Sequence, residues 1–375
     1  MFDFVNATSF DDFVKHLNQA SGTRGDTRRD RLVALYSKLR REAPSGAWHH
    51  IPGLRKFTRQ FVNDNPYIPR IIRESEHRSR SVPLDFQSFL DAWSQAGYSR
   101  STFSVNLNSL IETITTDDHV LSKFVSNNLH DVDYFFTKFT EWHTTIECAK
   151  RIKAKRILDL GAAYNGFARV ATARLPAANV IMADLIFKPG LTDVSPRISE
   201  LGVNAGKLEG IEDSSIDLIC AHNAFEHFCG YADTLCIREM ERVLKPGGVA
   251  VITPFQGIAK HTLSINPFSC FVAEDDAADM EDAILDETKV ENALVRFNPG
   301  MVSAFARSYE FRSFKRRLID QTPSLVPTLR EVQFDQDGFD ETDHSITEIM
   351  GMKVDRTVFS RKRFWVLELS KALNK

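Results

Sequence analysis

The sequence predicts an α/β fold, a Rossmann-like sheet with helices on both faces, preceded by a mainly helical N-terminal domain. Three observations predict it. From about residue 150, short apolar runs typical of buried strands alternate with helical segments. One such run leads through a glycine turn into a helix, at residues 157–166 with the sequence ILDLGAAYNG. The first 150 residues instead repeat apolar side chains at helical spacing.

The length of 375 residues favours two domains. We place a helical domain for substrate recognition or oligomerisation at residues 1–150 and the α/β domain at 151–375, with an insertion at about 254–325. Within the insertion, residues 302–318 have a helical pattern, whereas residues 361–369 alternate like a strand. No apolar run approaches the ~20 residues that cross a bilayer. Five cysteines without a C-x-x-C pair fit a reducing compartment, so we expect a cytoplasmic protein.

The glycine turn predicts a site for a nucleotide-like cofactor. Gly161, Ala163 and Gly166 fit a dinucleotide loop whose middle glycine has become alanine, and the following helix offers unpaired N–H groups. Asp159, two residues before the turn, favours another ligand, because a carboxylate there would repel a pyrophosphate. It suits a cofactor with a cationic amino acid group.

Three further motifs follow in order: VIMAD at residues 180–184, IDLICAHNAFEH at 216–227 and EMERVLKPGGVAVIT at 239–253. Together with the glycine turn, they resemble the class I S-adenosylmethionine-dependent methyltransferases. The resemblance implies an enzyme with S-adenosyl-L-methionine as cofactor, and a late strand that closes an antiparallel hairpin. It also implies a set of cofactor-binding residues: Asp159, Gly161, Ala163, Gly166, Asp184, Leu185, Lys207, Leu208, His222 and Asn223.

Within that set, Asp184 is expected to accept hydrogen bonds from the ribose hydroxyls, while Lys207 and Leu208 would flank the adenine. A hydroxyl acceptor must lose its proton during methyl transfer, which calls for a base. His222, at the tip of a strand, and His261, in the insertion, are the candidates, although either could instead be structural. On the preceding helix, Tyr134, Phe135, Trp142 and His143 could line the cofactor pocket or pack in the core.

Glu226, His227 and His261 could together bind a divalent metal. The small-RNA ribose methyltransferases use a similar E-x-x-E-H pattern, but here Asn223 replaces its first acid. We therefore expect no metal.

The sequence favours methyl transfer to a hydroxyl or amine of a small molecule or sugar. The alternatives are an RNA ribose 2′-O-methyltransferase and a non-catalytic module that binds S-adenosylmethionine. The arginine-rich residues 24–80 could bind phosphates, but interspersed acids make solvated helix faces the simpler reading. A net charge of −3 gives no general attraction to nucleic acid or membrane. A homodimer could form through the helical domain.

Overall fold

A computed structural model gives the fold of the chain and describes residues 78–79, 85–117, 119–120, 132–163, 166–265, 277–297, 305–334, 346–349, 352–355 and 364–373. The helices are α1 (Phe86–Gln95), α2 (Leu107–Ile114), α3 (Val132–Ile152), α4 (Phe167–Arg174), α5 (Ala232–Val243), α6 (Ala277–Glu291) and α7 (Phe311–Arg317). The strands are β1 (Arg78–Ser79), β2 (Ser99–Val105), β3 (Arg156–Leu160), β4 (Asn179–Ser195), β5 (Ile198–Gly202), β6 (Ile216–His222), β7 (Leu244–Phe255), β8 (Thr262–Ile265), β9 (Leu294–Phe297), β10 (Phe305–Ser308), β11 (Leu325–Phe334), β12 (Ile346–Ile349), β13 (Met352–Asp355) and β14 (Phe364–Lys371).

The chain forms two compact units. The large-sheet unit comprises residues 86–226, 232–257 and 311–375, and the small-sheet unit comprises residues 1–85, 227–231 and 258–310. Part of the segment expected to be helical forms β2, which pairs with β11 at one edge of the main sheet.

The large-sheet unit contains an eight-stranded sheet in the order β2-β11-β14-β7-β6-β3-β4-β5. β3, β4, β6 and β7 run parallel, so their carboxyl ends meet at one edge, where open α/β sheets bind ligands. β14 is antiparallel to both β7 and β11. The Rossmann-like fold and its late antiparallel strand are thus confirmed.

Apolar side chains explain why the helices cover this sheet. On one side, Phe139, Trp142 and Ile146 of α3 are buried with Phe167 of α4 in a core cluster that includes β3 and β6 residues. An aromatic cluster lies around α1, where the ring centroids of Phe89 and Phe255 are 5.5 Å apart. Burying such rings contributes on the order of 2 kcal/mol each. Trp142 belongs to the core, as one of its two sequence-based readings proposed.

The small-sheet unit has the strand order β1-β9-β8-β10 and includes α6. β10 and α7 occupy much of residues 302–318, so the continuous helix expected there was wrong. Phe305 and Arg307 are buried at alternate positions of β10, and Arg307 there meets the carboxylate of Glu287. This buried ion pair favours the strand register over the helical pattern.

Several expectations lie outside the described residues. These are the N-terminal helices and arginine-rich stretch before residue 78, the side chains of Tyr134 and Phe135, and Cys270. The four described cysteines, Cys148, Cys220, Cys229 and Cys236, are free thiols. Among the described helices, none has the length and apolar character needed to cross a membrane.

Candidate cofactor site at the carboxyl edge of the sheet

The glycine turn after β3 takes backbone conformations that favour glycine. Gly161 has φ 66° and Gly166 has φ 83°, and Ala163 adopts φ 42° despite its Cβ. A Cβ on Gly161 would lie 2.5 Å from the Cβ of Ala224, which follows β6. The glycine therefore lets the turns after β3 and β6 touch.

Asp184 is bound to this turn by its side chain. Its Oδ2 accepts a hydrogen bond from the Ala163 N–H at 2.9 Å, and its Oδ1 accepts one from the Ile186 N–H at 3.2 Å. The carboxylate is half-buried and, with about four lone-pair positions, can accept further hydrogen bonds. Its place at the carboxyl edge of the sheet fits the ribose-binding role that the resemblance implies.

Next to Asp184 lies an apolar surface. Leu185 is 73% exposed and Ile186 is 55% exposed. Exposed aliphatic side chains beside a fixed carboxylate suit a ligand with a flat apolar base and a hydroxyl-bearing sugar. The other two residues expected at the adenine differ from each other. Lys207 is exposed and paired with Glu209, whereas Leu208 is fully buried and points into the core.

Asp159 lies at the end of β3 and is fully buried. Its Oδ1 is 3.5 Å from Cys220 Sγ and 3.4 Å from His222 Nδ1, and its Oδ2 has no hydrogen-bond partner among the described residues. Burial raises the pKa of the Cys220 thiol well above its usual value, so the thiol is protonated and donates to the carboxylate. One possible ligand atom from each of these three side chains lies within 4.8 Å of the others. The Cys220 thiol is hydrogen-bonded to the carboxylate, whereas His222 Nδ1, 3.4 Å away, makes no hydrogen bond within the described part of the chain.

His222 lies between two neighbours at the tip of β6. Its Nδ1 faces Asp159, and its Nε2 is 3.0 Å from Thr145 Oγ1 on α3. Burial lowers the pKa of this imidazole, which keeps the ring neutral. A neutral imidazole can accept a proton, but here both nitrogens face protein groups.

Glu141 is a residue that the sequence reasoning missed. It is fully buried on α3, and its Oε2 accepts a hydrogen bond from Lys138 Nζ at 3.0 Å. Asn223 Nδ2 donates to both Glu141 oxygens, at 3.0 and 3.2 Å. Burial raises the pKa of Glu141 to about 7, with a smaller contribution from the charge of Glu226. The available signal was a Lys and a Glu three residues apart within an otherwise aromatic helix.

His261 lies in the small-sheet unit and is fully buried there. Its Nε2 is 2.9 Å from Glu287 Oε1, and Arg307 binds the same carboxylate through Nε and a terminal nitrogen, at 2.5 and 2.6 Å. In the same unit, His227 Nδ1 donates to the carbonyl of Phe305 at 2.7 Å. A buried charge balanced in this way is typical of a structural network.

The family described as a methyltransferase domain matches residues 158–252. This match spans the turn after β3, Asp184, the tip of β6 and most of β7. The chain carries a class I methyltransferase domain. It is an S-adenosylmethionine-dependent methyltransferase, and its cofactor is S-adenosyl-L-methionine.

Solved structures include similar chains. A Burkholderia thailandensis 1,6-didemethyltoxoflavin-N1-methyltransferase with bound S-adenosylhomocysteine is 14% identical, with 68% of this chain and 88% of that chain covered and a TM-score of 0.36. An S-adenosylmethionine-dependent methyltransferase from Methanosarcina mazei is 16% identical, with 58% and 93% covered and a TM-score of 0.34. No curated protein matches the sequence.

Proposed function

We propose that this methyltransferase acts on a hydroxyl or amine of a small molecule or sugar. Cofactor binding at this site is supported by the hydrogen bond of Asp184 to the glycine turn and by the exposed Leu185 and Ile186 beside it. A two-acceptor carboxylate next to apolar side chains complements a nucleoside.

The residues proposed to hold the cofactor lie on the edge formed by β3, β4 and β6. The main chain of Gly161, Ala163 and Gly166 approaches it closely, Asp184 accepts from its ribose, and Leu185 packs on its base, with Lys207 at the rim. Asp159 and Asn223 lie beneath and beside its amino acid end. S-adenosylmethionine supplies an activated methyl group on a positively charged sulfur, so the protein has to align the acceptor and remove a proton.

Of the two candidate bases, His222 is favoured by its position at the ligand-binding edge and by its neutral ring. His261 is already bound to Glu287 within a fully buried network, which suits a structural role. A general base at His222 predicts a pH–rate profile whose acidic limb changes in His222→Gln while cofactor affinity stays similar.

The acceptor class rests on the chain's overall charge. A net charge of −3 does not attract a polyanion, whereas a small neutral acceptor needs no such field. A small-molecule acceptor and an RNA acceptor can be distinguished by identifying the molecule that receives the methyl group.

The experiment is methyl transfer from radiolabelled S-adenosylmethionine to a metabolite and sugar extract and, in parallel, to total RNA. We expect label in the small-molecule pool and no label with Asp184→Ala. Label in RNA would contradict the acceptor class. Binding of the cofactor with no turnover in either pool would contradict catalysis and favour a binding module.

A further inference from the structure

Three side chains of types that bind metals lie together inside the large sheet. Asp159 of β3 pairs in register with Cys220 of the neighbouring parallel strand β6. Side chains alternate between the two faces of a strand, so His222, two residues after Cys220, lies on the same face as the thiol. We call these three residues the β3–β6 cluster. Asp159 and Cys220 are fully buried, and His222 is 3% exposed.

The donor atoms of the cluster have the spacing of ligands around a small divalent ion. Asp159 Oδ1 is 3.5 Å from Cys220 Sγ and 3.4 Å from His222 Nδ1. Around a tetrahedral zinc ion with bonds of about 2.0–2.3 Å, oxygen and sulfur ligands lie about 3.6 Å apart, and oxygen and nitrogen ligands about 3.4 Å apart. One donor atom of each side chain lies within 4.8 Å of the others, so a single ion can bind all three.

Two buried donor atoms of the cluster have no hydrogen-bond partner among the described residues. They are Asp159 Oδ2 and His222 Nδ1. A buried polar atom without a partner destabilises a folded protein, and a bound ion is one of the few ways to satisfy it. Both atoms are therefore available to a metal.

The Asp159 carboxylate also differs from comparable acids in its charge partners. Glu141, Asp233 and Glu287 are equally buried, and each forms an ion pair with a lysine or an arginine. Within the described part of the chain, no lysine or arginine forms one with Asp159, whose contacts are a thiol and an imidazole. A divalent ion bound to one carboxylate and one thiolate makes a group of zero net charge, which a buried site favours.

The imidazole of His222 is held in the way that metal-bound histidines are. Its Nε2 is 3.0 Å from Thr145 Oγ1, and its ring centroid is 4.6 Å from that of Phe167. When Nε2 donates its proton to Thr145, Nδ1 presents a lone pair toward Asp159. A hydrogen bond at the second ring nitrogen fixes the ring and its tautomer in almost every metal-bound histidine.

We propose that the β3–β6 cluster binds one zinc ion. The ligands are Cys220 Sγ, His222 Nδ1 and the Asp159 carboxylate, whose second oxygen supplies a fourth donor atom. A thiolate with an imidazole suits zinc, whereas magnesium and calcium prefer oxygen ligands throughout. On binding, the S–H bond of Cys220 breaks, a sulfur–zinc bond forms and the proton passes to solvent. The ion takes the lone pair of Nδ1, so His222 can act as a base only in the metal-free protein.

The test is the metal content of the full chain. The protein is produced in medium supplemented with zinc, so that the ion can enter as the chain folds, and is then dialysed without added metal. Elemental analysis should find about one zinc ion per chain in the unaltered protein. Cys220→Ala should retain less than about a tenth of that amount, because it loses the thiolate. Cys236→Ala, which removes another fully buried free thiol, is the matched control and should keep its zinc.

Cobalt identifies the ligands without a variant. Cobalt(II) substitutes for zinc in tetrahedral sites and, unlike zinc, absorbs light. Protein produced in cobalt-supplemented medium should show a near-ultraviolet charge-transfer band from the thiolate and the intense visible bands of tetrahedral cobalt. Because this spectrum is recorded on the unaltered protein, it decides the question even if Cys220→Ala does not fold.

Three results would overturn the proposal. They are zinc at less than about a tenth of an ion per chain in the unaltered protein, the same zinc content in Cys220→Ala as in the unaltered protein, and a cobalt spectrum without a thiolate band. Each would leave the methyltransferase assignment intact, because that assignment does not depend on a metal.

Discussion

The carboxylate of Asp184 accepts a hydrogen bond from the main-chain N–H of Ala163, with 2.9 Å between Oδ2 and the nitrogen. This bond ties β4, directly after the part that pairs with β3, to the turn after β3. Because the two elements are already fixed to each other, binding of a nucleoside costs less conformational entropy of the chain.

Ala163→Gly should stabilise the protein. Ala163 has φ 42°, a conformation that costs an alanine about 1–2 kcal/mol more than a glycine. After the greater flexibility of unfolded glycine is subtracted, we expect a gain of roughly 0.5–1 kcal/mol in the free energy of unfolding, measured in urea. Ala173→Gly, at an exposed position of α4, should instead lower the free energy of unfolding by a similar amount. A loss in both variants would contradict the strain at Ala163.

Gly161→Ala should disrupt the contact between the turns after β3 and β6. The new Cβ would lie 2.5 Å from the Cβ of Ala224, and φ is 66°. Gly210→Ala is the control, because Gly210 has φ 85° but open space around it. Both variants place an alanine at positive φ, which destabilises them alike. In Gly161→Ala, overpacking should lower the free energy of unfolding by a further ~1–3 kcal/mol. Equal urea midpoints for the two variants would argue against the close approach.

Much of the large sheet could be predicted from the sequence. Strands buried in a parallel sheet are apolar along their length, so the sequence identifies them. This holds for the runs before Gly161 and Asp184 and for the strand that ends at His222. β2 was missed because its residues, SRSTFSV, are mostly small and polar and lie at the edge of the sheet. Its pairing depends on β11, more than 200 residues later, which no local pattern contains.

The candidate site was predictable where its residues follow an apolar strand run. Asp184 directly follows the part of β4 that pairs with β3, and its side chain is at the glycine turn as the motif implies. Glu141 does not, because it reaches the tip of β6 from α3 through contacts with Lys138 and Asn223. Leu208 also departed from expectation, since its N–H is held by Glu239 and its side chain is buried. Such tertiary contacts decide between helix faces that look alike in sequence.

His143 should make the protein less stable in acid. It is buried beside Thr113, with 2.9 Å between Nδ1 and Oγ1, and burial lowers its pKa to about 4. Between pH 6.5 and about 4 the unfolded chain binds a proton at this residue that the folded chain does not. Its contribution to stability is therefore present above pH 6.5 and lost as the pH falls.

We expect this loss to be on the order of 2 kcal/mol at pH 4, measured by urea unfolding across the pH range. His143→Gln should flatten that part of the profile, while His119→Gln, at an exposed residue, should leave it unchanged. An unaltered acid slope in His143→Gln would show that other groups cause it.

Binding of S-adenosylhomocysteine by the unaltered protein and by Asp184→Ala, measured by calorimetry, tests the cofactor site most directly. Asp193→Ala, at an exposed carboxylate on the same strand that bonds Ser199, is the matched control. We predict binding by the unaltered protein and by Asp193→Ala, with at least about tenfold weaker binding by Asp184→Ala, because hydrogen bonds to a carboxylate are lost. Unchanged affinity in Asp184→Ala, or no binding by the unaltered protein, would contradict the account.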